Sequence, residues 1–319
     1  MAETKRDHGG GLDAARTIYG GARSDWLDLS TGINPQPYPL PILTPDMWAE
    51  LPDTAAQDRL MAAARALWNV PRHLDIVAAP GTSALIAQMP SLRPAGRVHI
   101  QAPTYNEHAA AFRAQGWDVV HEGEADARVI VHPNNPTGAI FGGDARGLAP
   151  LTVLDESFAD VAPQISLGAL AHNPGVVVLK SVGKFWGLAG LRLGFAICAP
   201  ETARALRDRI GPWAVSGPAL HIGALALEDR PWHARTRARL FGDAEQMDIL
   251  METAGITCIG GTPLFRLYKV KNAEAAQAHL AEHMIWSRIF PYSDRWIRLG
   301  LPGTEADWER LRDATRGLT

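Results

Sequence analysis

Val176-Val-Val-Leu-Lys180-Ser181-Val-Gly-Lys184-Phe-Trp-Gly-Leu-Ala-Gly-Leu-Arg192-Leu-Gly-Phe-Ala-Ile197 is the stretch that decides the fold. Two apolar runs, 176–179 and 193–197, bracket a loop rich in glycine and aromatic residues. Short, continuously apolar runs bounded by turn signals read as strands covered on both faces, the pattern of a parallel sheet dressed by helices. The same texture recurs upstream in Val98-His-Ile100, Val129-Ile-Val131 and Leu151-Thr-Val-Leu154. Several of these runs end in polar or turning residues: Pro133-Asn-Asn-Pro-Thr-Gly138, Asp155-Glu-Ser157 and Ser181-Val-Gly183. Helical stretches such as the Ala-rich 58–68 separate them. The fold class is therefore α/β, with a mostly parallel central sheet and helices on both faces. In such sheets ligands sit beyond the carboxyl ends of the strands, so the chemistry is sought there.

The flanks differ in texture. The first fifty residues are rich in Gly and Pro, notably Gly9-Gly10-Gly11, Gly20-Gly21 and Asn34-Pro-Gln-Pro-Tyr-Pro-Leu-Pro41, and read as extended or turning chain. After Gly211-Pro-Trp-Ala-Val-Ser-Gly-Pro218 a long helical stretch runs through Arg239, and 245–319 mixes helices with strands at 262–270 and 296–299. The expected division is 1–50 as an N-terminal arm and part of a small domain, 51–214 as the large domain, and 215–319 as a small C-terminal α+β domain.

Composition narrows the function. The 319 residues are 46% hydrophobic and 20% charged, a globular balance, and 31 Lys+Arg against 34 Asp+Glu give a net charge of -3. That argues against a nucleic-acid or anionic-membrane partner. Two cysteines sixty positions apart exclude a disulfide scaffold and a four-thiolate zinc site. The charged start lacks the apolar core of a signal peptide, and Lys180, Lys184 and Arg192 interrupt the most apolar region, so a cytoplasmic protein without a membrane span is expected. His99, His121 and His132 form no helical metal pair, no H-E-x-x-H occurs, and Gly183-Lys184 is followed by Phe185, which rules out a nucleotide phosphate loop. No metal site is expected.

Four segments carry chemistry. Lys184, just beyond an apolar strand in a glycine- and aromatic-rich loop, can be desolvated, lose its proton and attack a carbonyl; Ser181 and Arg192 nearby are good phosphate ligands. Asp155, at the end of a strand, can keep a pyridinium nitrogen protonated, the acidic partner expected of pyridoxal phosphate enzymes. In Asn134-Asn135-Pro-Thr-Gly138 an amide could reach a ring hydroxyl. Pro80-Gly81-Thr82-Ser83 opens an apolar helical stretch whose first N–H groups suit a phosphate. Taken singly, a surface lysine, a capping aspartate, an Asn-Pro turn and a helix N-cap account for the same residues.

In order and spacing the four resemble the fold-type-I pyridoxal phosphate (PLP) enzymes of the aminotransferase class I/II superfamily, over nearly the whole chain. The resemblance implies that Lys184 binds the cofactor covalently and Asp155 pairs with the pyridine nitrogen. Asn135 would bond the ring hydroxyl, Tyr105 in Ala102-Pro-Thr-Tyr105 would stack on the ring, and Gly81, Thr82, Ser83, Ser181 and Arg192 would hold the phosphate. One position departs: many relatives carry a Tyr three residues after the aspartate, where this chain has Phe158.

Within the superfamily, His8-Gly-Gly-Gly11, Trp26-Leu-Asp-Leu-Ser-Thr-Gly-Ile-Asn-Pro35, Gly183-Lys-Phe-Trp-Gly187, the 211–218 block and Trp296-Ile-Arg298-Leu-Gly300 resemble the threonine-phosphate decarboxylases of cobalamin biosynthesis. That resemblance implies loss of CO2 from L-threonine-O-3-phosphate, with histidinol-phosphate aminotransferases as the nearest alternative and a non-catalytic binder as a third. The substrate carries a carboxylate and a phosphate and needs fixed cations. By resemblance Arg298 would take the carboxylate and Arg288 the phosphate or carboxylate, Gly32 and Ile33 would line the substrate through backbone groups, and His8 could reach a phosphate. A homodimer is implied by the superfamily.

Overall fold

The computed structural model describes residues 8–142 and 148–318; residues 1–7 of the expected N-terminal arm lie outside the described residues. Down the chain come α1 (Leu12–Tyr19), β1 (Leu27–Asp28), α2 (Asp46–Ala49), α3 (Thr54–Leu67) and β2 (Asp75–Ala79). Then follow α4 (Thr82–Gln88), β3 (Arg97–Ile100), α5 (Asn106–Ala114), β4 (Asp118–Val120), β5 (Ala127–Val131), β6 (Leu151–Asp155), β7 (Val176–Ser181) and β8 (Gly194–Cys198). The last third holds α6 (Pro200–Ile210), α7 (Gly217–Glu228), α8 (Arg230–Thr253), β9 (Thr257–Thr262), β10 (Phe265–Lys269), α9 (Ala273–Glu282), β11 (Ile285–Trp286), β12 (Arg288–Phe290), β13 (Ser293–Gly300) and α10 (Glu305–Thr315). No helix among the described residues is long and apolar enough to cross a membrane.

The chain divides into two units. Pro37–Asn135 with Ala139–Arg235 form the larger; Met1–Gln36, Pro136–Gly138 and Thr236–Thr319 form the smaller. The divisions at Gln36 and Arg235 differ from those expected after 50 and 214. The later one follows from α7, whose Gly223 packs so closely that a Cβ there would lie 2.4 Å from Leu193 and 3.1 Å from Leu60 of α3. The expected long helix through Arg239 is two: Asp229 separates α7 from α8, and its Oδ1 accepts from the amide of Trp232 at 2.9 Å. The first fifty residues are less extended than their glycines suggest, since they hold α1 and α2.

The larger unit is built on one sheet in the order β2-β8-β7-β6-β5-β3-β4. Every neighbouring pair is parallel except the two that involve β8. Alternation decides what each strand end presents. Val77, Val129, Val153, Val177 and Leu179 pack into one apolar cluster with Leu85, Ile86, Phe112 and Leu206 of the helices on that face. Asp155 and Ser181 continue the same parity one step past the apolar core. Burying side chains of this size stabilises by about 1.5–3 kcal/mol each, and that burial holds the strand register. The register is specific: Val131 pairs Asp155, Asp155 pairs Leu179, and Gly194 pairs both Ser181 and Ala79.

The smaller unit carries a four-stranded antiparallel sheet in the order β12-β13-β10-β9, and β1 pairs in parallel with β11. The strand expected over 262–270 is a hairpin, β9 and β10, with the chain reversing after Gly260-Gly261-Thr262-Pro263.

Candidate active site

Gly81, Thr82, Ser83, Tyr105, Asn135, Asp155, Ser181, Lys184 and Arg192 line one cavity of about 120 Å3 at the carboxyl end of the large sheet. Ser157, Phe158 and Gly183 share the wall.

Asp155 is the best-defined member. It is 2% exposed; its Oδ2 lies 2.8 Å from His108 Nε2, and its Oδ1 accepts from the Ser157 amide at 3.0 Å and the Ser157 hydroxyl at 2.6 Å. Burial alone would push this carboxyl up, but the hydrogen bond and charge of His108, with the two bonds from Ser157, outweigh it and hold Asp155 below the ordinary carboxylate value. A buried carboxylate kept ionised is a partner for a ring N–H. Tyr105, which enters α5, is pushed up to about 12, first by burial and then by the charges of Asp155 and Glu107, so its phenol stays protonated; a hydrogen bond with Ser83 opposes the shift.

Two close approaches shape the anion end. Gly81 has φ 89°, and a Cβ there would stand 2.5 Å from Arg192 Nη2, so only glycine leaves the guanidinium its place. Arg192 itself sits in the left-handed region, φ 53°, with Nη1 donating to the Ala189 carbonyl at 3.0 Å. On the next strand a Cβ on Gly194 would lie 2.4 Å from the Thr82 nitrogen. The turn after β2 is thereby pressed against β8, and the Thr82 hydroxyl donates to the Lys180 carbonyl at 3.1 Å. The first turn of α4 leaves the amides of Thr82 and Ser83 without helical acceptors. Asn134 latches its loop, accepting from Thr104 Oγ1 at 2.5 Å and donating to the Pro103 carbonyl at 3.0 Å, while Asn135 lines the cavity.

Lys184 Nζ stands 5.3 Å from the centre of the Phe158 ring, and Phe158 is buried. The donor set (an amine, a guanidinium, helix-start amides, a serine hydroxyl and an ionised buried carboxylate) has the chemistry that pyridoxal phosphate needs. The Gly81 cradle that any Cβ would fill supports the same fit.

Sequence reasoning missed His108 and Ser157. Ser157 lies two residues after Asp155, within reach of a local turn. His108 follows Tyr105 by three positions on α5, one face of a helix, which was the only signal available. His99, His121 and His132 make contacts to backbone carbonyls, and among the described residues no group of three or more His, Cys, Asp or Glu could hold a metal.

The expected substrate residues lie in the smaller unit. Arg288 of β12 and Arg298 of β13 are register partners on neighbouring strands. Like charges placed so repel. Arg298 is 5% exposed, and its Nη2 donates to the Ser30 carbonyl at 2.6 Å. Burial first, and then the charge of Arg288, pull its guanidinium down to about 10, with Tyr292 and Asp28 acting the other way. Arg288 and His8 line one surface pocket with Ser30 and Ser287. Ser30 organises that corner: its hydroxyl donates to Asp28 Oδ1 at 2.6 Å and accepts from the Gly10 amide at 2.6 Å. Gly32 and Ile33, just past Ser30, are not among the residues lining this pocket. The next residue, Asn34, is held by Arg239 Nη2 at 2.6 Å.

Residues 121–314 match the family model of aminotransferase class I and II. A threonine-phosphate decarboxylase of Sinorhizobium sp. is 39% identical across 96% of both chains, and one of Pseudomonas aeruginosa is 39% identical across 98% of both. Among solved structures, the histidinol-phosphate aminotransferase of Sinorhizobium meliloti in complex with pyridoxal-5'-phosphate superposes with a TM-score of 0.79 over 96% of this chain and 94% of that one, at 18% identity. At that identity the likeness is one of fold. The chain belongs to the aminotransferase class I and II family, among its threonine-phosphate decarboxylases.

Proposed function

We propose that this protein decarboxylates L-threonine-O-3-phosphate to (R)-1-amino-2-propanol O-2-phosphate and CO2, a step of cobalamin biosynthesis, using pyridoxal phosphate. The observation that carries the reading is the single cavity that gathers Lys184, an ionised Asp155, Asn135, Tyr105 and the Gly81–Arg192 cradle. When bound, pyridoxal phosphate supplies an electron sink for the bond that breaks at the substrate's α-carbon.

The chain's own residues do the rest. Asp155 would accept a hydrogen bond from the cofactor's ring nitrogen and, by staying ionised, would keep it protonated. Arg192, Ser181 and the amides of Thr82 and Ser83 would hold the cofactor phosphate; Asn135 would serve the ring hydroxyl and Tyr105 the ring itself. Phe158 puts an apolar wall beside Lys184 where it offers no hydroxyl. Lys184 would anchor the cofactor through Nζ, and its amine, once free, is the group placed to return a proton to the substrate's α-carbon. Arg298 and Arg288 receive the substrate's carboxylate and phosphate, with His8 at the phosphate and the backbone of Gly32 and Ile33 beside the substrate. The planar fork of a guanidinium matches both anions.

The protein works in the cytoplasm as a homodimer. Leu40, Ile42, Trp48, Leu51 and Trp213, large apolar side chains exposed on the larger unit, support a second copy covering them.

The test is incubation of the cofactor-loaded protein with L-threonine-O-3-phosphate and no keto acid, following CO2 and the amine. Stoichiometric or greater CO2 is expected, abolished in Lys184→Ala. No CO2, with amino transfer once histidinol phosphate and 2-oxoglutarate are supplied, moves the enzyme to the aminotransferases. Cofactor binding with neither CO2 release nor amino transfer would make the protein a binder whose cavity does no chemistry.

A further inference from the structure

Behind the cavity, β6 and β7 carry a second set of charges that the proposed mechanism does not use. On β7, Val177, Leu179 and Ser181 share one face by alternation, and Lys180 takes the other. Lys180 is 2% exposed, and Glu156 and Asp160 are buried with it. Lys180 Nζ lies 2.6 Å from Glu156 Oε2 and 3.8 Å from Asp160 Oδ1, and 5.7 Å from the centre of the Trp68 ring. Glu156 also accepts from Ser166 Oγ at 2.7 Å and from the Leu167 amide, and Trp68 Nε1 donates to Asp160 Oδ1 at 2.7 Å.

Taking an ammonium and two carboxylates out of water is costly, and apolar replacements of such sets are often neutral or stabilising. Stability is thus a poor account of this one. Its position is a better one. Glu156 directly follows Asp155, Lys180 directly precedes Ser181, and Asp160 lies two beyond Phe158. The Glu156 amide donates to the Leu179 carbonyl at 3.0 Å, carrying the β6–β7 pairing past the Asp155–Leu179 register pair. The Lys180 carbonyl accepts from the Thr82 hydroxyl, tying the start of α4 to the same strand.

The geometry points to Lys180 as a positioning residue: its buried ion pair with Glu156 bolts the ends of β6 and β7 together, so that Asp155 and Ser181 meet one cofactor in one orientation. Apolar packing sets the register, and directional charge pairing adds a fixed orientation at the two strand ends. The inference rests on Asp155 and Ser181 being cofactor ligands, as proposed above.

The experiment compares the parent chain with Lys180→Arg, Trp68→Phe and the doubly neutralised Lys180→Met/Glu156→Gln. Each is titrated with pyridoxal phosphate by tryptophan fluorescence, and the visible circular dichroism per bound cofactor reports ring orientation. Far-ultraviolet dichroism and thermal melting report folding separately. The folded double variant is expected to bind about tenfold or more weakly and to lose at least half of the visible signal. Lys180→Arg should stay within about threefold of the parent, and Trp68→Phe should weaken binding about two- to threefold. A folded double variant with parent affinity and parent dichroism overturns the inference. Should that variant not fold, parent values in Trp68→Phe overturn it. A parent chain that does not bind the cofactor at all instead defeats the reading of the cavity.

Discussion

The two units hold buried charge in opposite ways. In the larger unit, Asp155 is surrounded by groups of its own chain that favour its ionised form: His108 at 2.8 Å and Ser157 at 3.0 and 2.6 Å. In the smaller unit, Arg298 is also buried, yet the strongest charge acting on it is the like charge of Arg288, and its guanidinium is pulled down to about 10. Folding completes the first arrangement, whereas the second is one that an arriving anion would relieve. The contrast matches the roles proposed for the two: a cofactor that stays, and a substrate that comes and goes.

Removing the completed charge should do the most damage. Asp155→Asn is expected to lower kcat by about 10²–10³-fold, the size seen when one preorganised electrostatic contact is lost. CO2 release measures it. The same variant tests the stability side. A carboxyl whose folded pKa is depressed stabilises the fold above its ordinary value of about 3.9 and loses that contribution as pH falls through the folded value. The gap in melting temperature between parent and Asp155→Asn should therefore be full at pH 7 and close on acidification below about pH 4. A gap that widened in acid would break the comparison.

The arginine should behave otherwise. Losing a charged hydrogen-bond pair costs about 1.5–3 kcal/mol, so Arg298→Met should lower kcat/KM about 10- to 10²-fold. Its effect on the ligand-free fold should be neutral or favourable. For a base with a depressed folded pKa, the protonated form is penalised by folding at every pH below about 10, and the penalty fades only as pH rises above that toward the guanidinium's ordinary value. Adding L-threonine-O-3-phosphate should raise the melting temperature of the parent and leave Arg298→Met unmoved. A variant melting well below the parent without ligand would show that Arg298 is structural.

The smallest effect sharpens the first half of the comparison. His108→Gln keeps a donor near Asp155 and removes the imidazole charge. Affinity for pyridoxal phosphate should fall about tenfold, roughly one charge-assisted hydrogen bond. Equilibrium titration of the apoprotein checks it, and an unchanged affinity would leave Ser157 as sufficient support for Asp155.

Much of the large unit was readable before any coordinates. Asp155, Ser181 and Asn135 stand at the ends of apolar runs, and the rule that α/β sheets bind ligands there needs no tertiary information. The direction of β8 was not readable, because Gly194-Phe-Ala-Ile-Cys198 is as apolar as the strands that pair in parallel, and direction leaves no trace in composition. β2 escaped notice because Asp75-Ile-Val-Ala-Ala79 is short and ends in two alanines. His108 and Lys180 were invisible as site elements for another reason: their partners are fixed by packing, and His108 reaches across 47 positions to Asp155. In the smaller unit the two arginines were legible as cations, but their register pairing required a strand reversal that the nine intervening residues do not announce.

The reversal of β8 has one more consequence. A parallel strand after β7 would have to start from the opposite edge of the sheet and would carry the chain away from the cavity. Because β8 runs antiparallel, the segment 182–193 leaves from Ser181 and returns to its ladder partner Gly194, closing a ring on the cavity's own rim. Lys184 and Arg192 both ride on that ring, so the entropy of bringing them together is spent once, during folding, and not again at each turnover. It also makes the ring a transplantable module. New chain ends opened elsewhere in the large unit leave it closed, whereas a cut between 184 and 192 would turn a short tether into two free ends.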